Sequence, residues 1–352
     1  MRKFVKGNEA VTIGALYAGC DVYFGYPITP ASEIAHAASE YFPQAGKEYL
    51  QAECETGAIN MIFGAASSGK LAMTASSGPG ISLMQEGLSY LSGAQLPGVI
   101  VNIMRVGPGL GNIGPEQSDY NQAVKGGGHG NYRNIVLAPA SVQEMCDLTV
   151  LAFELAFRFR NPAVILSDAV LGQMMEFLTC PEQESSRPET ESWAVQGDWP
   201  TRKNLVTSIY LDPDQMEEHN LHLQRKFAGM QPEARAELYQ TADAEIVLAG
   251  YGISARIARS AVDRLREQGI RAGLFRPITL FPFPSESLAQ AAAAGRILVA
   301  ELSNGQFRDD LLLHLDRKQD CRVSMIQRMG GNLMRVDDVV LAARNMMQEV
   351  GA

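Results

Sequence analysis

The sequence predicts an α/β fold in two domains, and three observations carry that expectation. Short apolar runs alternate with stretches of helical period, first up to about residue 180 and again from Ile246 onward. This is the pattern of a mainly parallel sheet covered by helices on both faces. Gly, Pro or Ser punctuates most ends of these runs, where tight turns need them. A length of 352 residues suits two domains of ordinary size, each able to bury its own core. The expected division is a domain over 1–180, a linker with a helical segment over 181–240, and a second domain over 241–352.

Strands of the first domain are expected at Val22–Gly25, Glu48–Ala52, Leu71–Ala75, Val99–Arg105, Ile135–Ala138 and Ala163–Ser167. From Pro181 to about Pro200 the chain turns to Glu, Ser, Pro and Gln, the texture of a surface linker. Residues 212–240 read as a charged helix with Met216, Leu223, Phe227 and Met230 as a docking stripe. The second domain should contribute strands at Ile246–Ala249, Ala272–Phe275, Ile297–Glu301 and Val323–Ile326. No internal repeat or low-complexity tract occurs.

Composition excludes several classes of function. The net charge is −9 and no basic run is present, which argues against a nucleic-acid partner. There is no 18-residue apolar stretch and no apolar signal core after Met1-Arg2-Lys3, so no membrane span and a cytoplasmic location are expected. Cys20, Cys54, Cys146, Cys180 and Cys321 lie far apart and form no C-x-x-C pair. Iron–sulfur clusters and structural zinc need closely spaced thiolates. The five histidines give only one close pair, on a polar helix. No metal site is expected on this chain.

Two runs resemble nucleotide-binding loops. Gly64-Ala65-Ala66-Ser67-Ser68-Gly69-Lys70-Leu71 nearly matches G-x-x-x-x-G-K-[ST], but Leu71 stands where a hydroxyl should reach magnesium. It also follows a helix and leads into a strand, the reverse of a phosphate-binding loop. Gly250-Tyr251-Gly252-Ile253-Ser254-Ala255 follows an expected strand and opens a helix, as G-x-G-x-x-A should. Any parallel α/β domain needs such a turn at its first strand–helix junction, so the structural reading is preferred.

The more informative pattern is at strand ends. Tyr26-Pro27-Ile28-Thr29-Pro30 makes a stiff elbow, with Pro30 expected at the first helical position and Thr29 as N-cap. Glu55 sits in the first turn of the next helix, where a carboxylate also complements the helix dipole. Ser76-Ser77-Gly78-Pro79-Gly80 is a small-residue loop that lets a ligand approach backbone. Arg105 ends another strand, before Gly107-Pro108-Gly109-Leu110-Gly111 and a long loop reaching Lys125-Gly126-Gly127-Gly128-His129-Gly130. Ligands of open α/β sheets bind beyond the carboxyl ends of strands, and Thr29, Glu55, Ser77 and Arg105 all fall there.

On Tyr26–Glu33 (YPITPASE), Glu53–Ala66, Thr74–Gly87 (TASSGPGISLMQEG) and Arg105–His129 with its EQSDYNQAVKGGGHG, the chain resembles the alpha subunit of the thiamine diphosphate-dependent 2-oxoacid:ferredoxin oxidoreductases over essentially its full length. The resemblance implies a pyrimidine-binding domain followed by a transketolase C-terminal-like domain. It implies that Glu55 hydrogen-bonds the aminopyrimidine ring and promotes its imino tautomer, with Glu53 as a weak alternate. Thr29 and Arg105 would hold the 2-oxoacid carboxylate, a planar group that suits the guanidinium fork. Cofactor contacts would come from Glu55, Tyr26, Pro27, Ser77 and Gly78. The family often has serine where Ala31 stands here, so that side chain is dispensable to the elbow.

The diphosphate–magnesium half of a thiamine site resembles G-D-G followed by N-N, and this chain has neither. The resemblance therefore implies a beta subunit carrying diphosphate, magnesium and an iron–sulfur cluster, together with a small ferredoxin-like subunit. The implied reaction converts a 2-oxoacid and coenzyme A to acyl-CoA, CO2 and reduced ferredoxin, active only in the complex. The glycine-rich loops look most like branched-chain (2-oxoisovalerate) subunits, with 2-oxoglutarate as the alternative. That alternative would need a second cation from Lys125, His129 or Arg133. A transketolase-like or synthase relative is disfavoured by the missing diphosphate half. The rival of another class is a nucleotide-binding regulatory protein resting on Gly64–Leu71 or Gly250–Ala255.

Overall fold

The computed structural model describes residues 2–348 apart from 183, 184, 187, 191 and 317–319, so part of the expected linker and the last residues of the second domain lie outside the described residues. The chain begins β1 (Arg2–Lys6), α1 (Gly7–Tyr17), β2 (Val22–Gly25), α2 (Ser32–Gln44), β3 (Glu48–Gln51), α3 (Glu55–Ser67) and β4 (Ala72–Ser76). It continues through α4 (Pro79–Leu83), α5 (Gln85–Gly93), β5 (Gly98–Met104), α6 (Tyr120–Lys125), β6 (Ile135–Leu137), α7 (Val142–Phe159), β7 (Pro162–Asp168), α8 (Ala169–Gln173) and β8 (Met175–Thr179). Then come α9 (Pro213–Ala228), β9 (Ala236–Tyr239), β10 (Ile246–Ala249), α10 (Gly252–Glu267), β11 (Ala272–Pro277), β12 (Thr279–Phe281) and α11 (Ser285–Ala292). The last elements are β13 (Arg296–Glu301), α12 (Gln306–His314), β14 (Arg322–Gln327) and α13 (Val336–Gln348).

The α/β class with parallel sheets is what forms. The larger sheet has the order β12-β6-β7-β5-β4-β2-β3, parallel throughout except for the added β12. The second has the order β14-β13-β10-β11-β9, parallel except for β9. Every residue of β5 (GVIVNIM) and β7 (PAVILSD) is buried, because helices cover both faces of a parallel sheet. Edge strand β3 has no buried residue and is correspondingly polar. All strands read from the sequence appear, with ends shifted by a residue or so.

The elbow before α2 departs from expectation. Thr29 is not the N-cap and Pro30 is not the first helical residue; the helix starts at Ser32, with Ala31 in the cap position and no side-chain cap. The Pro30 carbonyl accepts hydrogen bonds from Asn8 (2.8 Å) and Gln173 (3.3 Å), so it is drawn off the helical ladder. The Ala31 N–H closes a turn on Ile28 O at 2.8 Å.

A second departure concerns residues 212–240. The helix stops at Ala228, and Ala236–Tyr239 is instead a strand laid antiparallel on β11. Its docking stripe holds in part: Leu223 and Phe227 are buried on the helix, Met230 is buried just past its end, and Met216 is only half-buried. The sequence also hid the β1–β8 ribbon, and β12, which leaves the second half of the chain to join the edge of the first sheet beside β6.

Candidate functional site

Because β2, β3, β4 and β5 run parallel, Thr29, Glu55, Ser77 and Arg105 emerge at one edge of the sheet. Two of them touch directly. Arg105 Nη1 donates to the Thr29 carbonyl (2.9 Å), and Nη2 donates to the Leu110 carbonyl (3.2 Å). Its Nε is buried and has no partner. A guanidinium has five N–H donors, so three remain for a ligand. Tyr26, Pro27 and Thr29 lie exposed on the rim.

Glu55 is the first residue of α3 and only 6% exposed. The helix is capped by the Cys54 thiol, which accepts from Gly57 N at 3.4 Å. No described residue donates a hydrogen bond to the Glu55 carboxylate. The carboxylate oxygens are not among the buried atoms that lack a partner, so the tip of this otherwise buried side chain still reaches solvent and is open to a ligand. Glu53 is exposed and lies apart from the cluster.

The small-residue loop is shaped around this carboxylate. Gly78 has φ +45°, and a Cβ there would come within 3.3 Å of Arg105 Cγ. At Gly80 a Cβ would fall 2.2 Å from Ser76 Oγ and 2.5 Å from Glu55 Oε1. Ser76 and Ser77 are fully buried and their hydroxyls have no partner. The sequence reading included Ser77 and Gly78 but missed Ser76, Gly80 and the Cys54 cap. The second glycine of Gly78-Pro79-Gly80 was the signal for Gly80; a cysteine cap gives none.

The loop to His129 is fastened rather than free. Gly127 N donates to Gln85 Oε1 (3.1 Å), and Ser89 Oγ donates to the His129 carbonyl (2.7 Å). Lys125 is ion-paired with Asp310, which is buried and also accepts from the Tyr120 hydroxyl at 2.7 Å. Arg133 donates to the Lys125 and Tyr132 carbonyls at 2.8 and 3.4 Å. Lys125 is thus committed elsewhere, whereas Arg133 spends only Nη1 on these carbonyls and keeps the donors of Nη2 and Nε.

The segment between faces the second sheet. Gln117 Nε2 donates to the Tyr251 carbonyl (2.9 Å), and its Oε1 accepts from Ser254 Oγ (2.8 Å) and Leu302 N (3.0 Å). Asp168 caps α8 and also accepts from Ile253 N at 3.1 Å, filling the start of α10. Burial pushes the Asp168 carboxyl up to about 6, against backbone hydrogen bonds and Arg256, which pull it down. The turn at Gly250–Ala255 therefore already holds protein groups where a dinucleotide phosphate would sit. Gly64–Ser67 lie at the end of α3, not at a helix start.

An unpartnered carboxylate in a glycine-lined cradle, at the carboxyl edge of a parallel sheet with a second α/β unit latched behind it, defines a thiamine-type pyrimidine domain with its companion. Residues 13–241 match the family model for pyruvate flavodoxin/ferredoxin oxidoreductase, thiamine diphosphate-binding, and residues 244–339 match pyruvate:ferredoxin oxidoreductase core domain II. The chain belongs to this 2-oxoacid oxidoreductase family.

Among relatives, it is 60% identical over 351 residues to the ketoisovalerate oxidoreductase subunit VorB of Methanothermobacter marburgensis, covering 99% of this chain and 98% of that protein. It is 38% identical to the 2-oxoglutarate synthase subunit KorA of Archaeoglobus fulgidus, covering 94% of this chain and 96% of that one. The fold matches a 2-oxoglutarate:ferredoxin oxidoreductase from Magnetococcus marinus with a TM-score of 0.86 at 24% identity, covering 99% of this chain and 65% of that one.

The residues present fit the pyrimidine half of thiamine diphosphate: no described residue donates to the Glu55 carboxylate, Ser76 and Ser77 have orphaned hydroxyls, and Gly80 keeps the space before the carboxylate open. Among the described residues, no group of three or more His, Cys, Asp or Glu could hold a metal ion. No helix among them is long and apolar enough to cross a membrane.

Proposed function

We propose that this chain is the alpha subunit of a cytoplasmic complex that oxidatively decarboxylates a branched-chain 2-oxoacid, 2-oxoisovalerate, with coenzyme A. The products are acyl-CoA, CO2 and two electrons delivered to ferredoxin. The observation that carries the reading is the buried, unpartnered Glu55 beside the three free donors of Arg105. The 60% identity to a ketoisovalerate oxidoreductase subunit supports the substrate.

Thiamine diphosphate, when bound, supplies the carbanion chemistry. Glu55 would hold the aminopyrimidine ring through a shared proton, the interaction that would set its tautomer. Tyr26, Pro27, Ser77 and Gly78 hold the ring against the loop. Arg105 and Thr29 receive the substrate carboxylate, and the guanidinium is already aimed by its bonds to the Thr29 and Leu110 carbonyls. A beta subunit brings the diphosphate and magnesium ligands and a cluster, and a small ferredoxin-like subunit takes the electrons.

The 2-oxoglutarate alternative is disfavoured, because Lys125 is tied to Asp310 and the identity to a 2-oxoglutarate synthase subunit is 38% against 60% to a ketoisovalerate oxidoreductase subunit. The test is catalytic efficiency of the reconstituted complex on 2-oxoisovalerate, 2-oxoglutarate and pyruvate. An apolar pocket discriminates by about 1–3 kcal/mol per methylene, so pyruvate should be used slowly rather than refused. A clear preference for 2-oxoglutarate would overturn the branched-chain assignment.

A further inference from the structure

We propose that Leu110 is a specificity-determining residue, forming the wall against which the branched tail of the substrate packs. This rests on the reading that Arg105 receives the substrate carboxylate. In a 2-oxoacid the branching carbon is separated from the carboxylate carbon only by the keto carbon. A residue whose backbone already touches the carboxylate-binding guanidinium is therefore within reach of that branch.

Two residues make such a contact: Thr29, through its carbonyl at 2.9 Å, and Leu110, through its carbonyl at 3.2 Å. Of the two, Leu110 carries the larger apolar side chain. That side chain is 79% exposed.

The backbone around it is built to hold one position. Gly109 and Gly111 have φ of +70° and +55°, and a Cβ on Gly111 would fall 1.7 Å from the Val106 carbonyl oxygen. Glycine is thus required on both sides of Leu110. Asn112 N donates to Val106 O (3.3 Å), and the Asn112 side chain accepts from Gly114 N (2.7 Å) and donates to Gly330 O (3.4 Å). The segment is fixed at these points and presents a leucine next to the guanidinium that its own carbonyl orients, so the place of Leu110 relative to Arg105 is set before a ligand arrives. The same loop carries Ile113, also exposed, with no hydrogen bond to Arg105.

The experiment uses the reconstituted complex with the Leu110→Ala, Ile113→Ala and Arg105→Ala alpha subunits. Assembly is checked by size-exclusion chromatography, and kcat/KM is measured on 2-oxoisovalerate and pyruvate. Leu110→Ala should lower efficiency on 2-oxoisovalerate relative to pyruvate by about tenfold, chiefly through KM, the lower end for losing branched apolar contact. Ile113→Ala should leave that ratio in place.

Equal loss on both substrates, an unchanged ratio with Leu110→Ala, or a shift produced by Ile113→Ala instead would each overturn the assignment. Arg105→Ala separates the two levels of the argument. If it weakens both 2-oxoacids, the carboxylate reading stands and the Leu110 result is decisive on its own. If it weakens neither, both readings fall.

Discussion

Glu55 is asked to do two things that water normally prevents: stay buried, and keep its carboxylate free of protein donors. Burial at 6% exposure and the glycine at position 80 supply the first condition; the orphaned Ser76 and Ser77 hydroxyls show a pocket whose hydrogen bonds await a partner. Replacing Glu55 with Gln keeps shape but removes the ionisable oxygen. Turnover of the assembled complex should fall at least about a hundredfold, the low end for acid–base contributions, with circular dichroism unchanged. Near-normal turnover would remove Glu55 from the chemistry. At Gly80 the added methyl of Gly80→Ala would overlap both Ser76 Oγ and Glu55 Oε1. Its expected signature is lost thiamine diphosphate binding by calorimetry, a readout separate from turnover. Glu55 and Arg105 stand out in the sequence because each is a charged residue just past the end of a strand. Ser76 does not, since only three-dimensional proximity distinguishes it from the small residues around it.

Among elements, the stretch from Arg105 to His129 carries the most. Its motif stands out in the sequence, yet much of it serves packing between the two sheets. Glu116 accepts from Gly330 N at 3.2 Å, Gln117 binds Tyr251, Ser254 and Leu302, and Tyr120 reaches Asp310. These partners lie more than a hundred residues downstream, so no local pattern could announce them. Gln117→Ala should destabilise the chain by about 2–3 kcal/mol, since it orphans buried backbone groups; a loss below about 0.5 kcal/mol, within the usual surface range, would show the bonds to be incidental. The neighbouring Asp168 gives this junction a pH dependence. Its folded value is about 6 against an ordinary 3.8, so the folded state binds more protons between those values. Stability from this group is therefore fully present below about 4 and is lost as pH rises through about 6. Asp168→Asn should flatten that loss. Thermal melts of both proteins at pH 5 and 7.5 check it, and an identical pH dependence would mean that Asp168 stays ionised throughout.

For the whole molecule, parallel strands were the most readable feature, because burial on both faces leaves an unbroken apolar run. β1, β8, β9 and β12 escaped because they are short, mixed in polarity or at sheet edges, and their pairing is set by partners distant in sequence. What the single chain leaves uncovered is equally informative. Tyr26, Leu83, Leu110 and Ile113 follow the carboxyl ends of β2, β4 and β5, and all are exposed. No metal-ligand cluster occurs among the described residues. A complete thiamine site needs a diphosphate-and-metal half to meet this one. The purified alpha chain alone should therefore contain no iron, bind thiamine diphosphate weakly by calorimetry and show no 2-oxoacid activity. Adding the beta and ferredoxin-like subunits should supply iron, tight cofactor binding and activity, and the alpha and beta chains should bury well over about 1,000 Å² of surface, the size of a specific interface. Stoichiometric iron or full activity in the isolated chain would overturn the division of the site between subunits, because the donors for both halves would then have to lie on this one sequence.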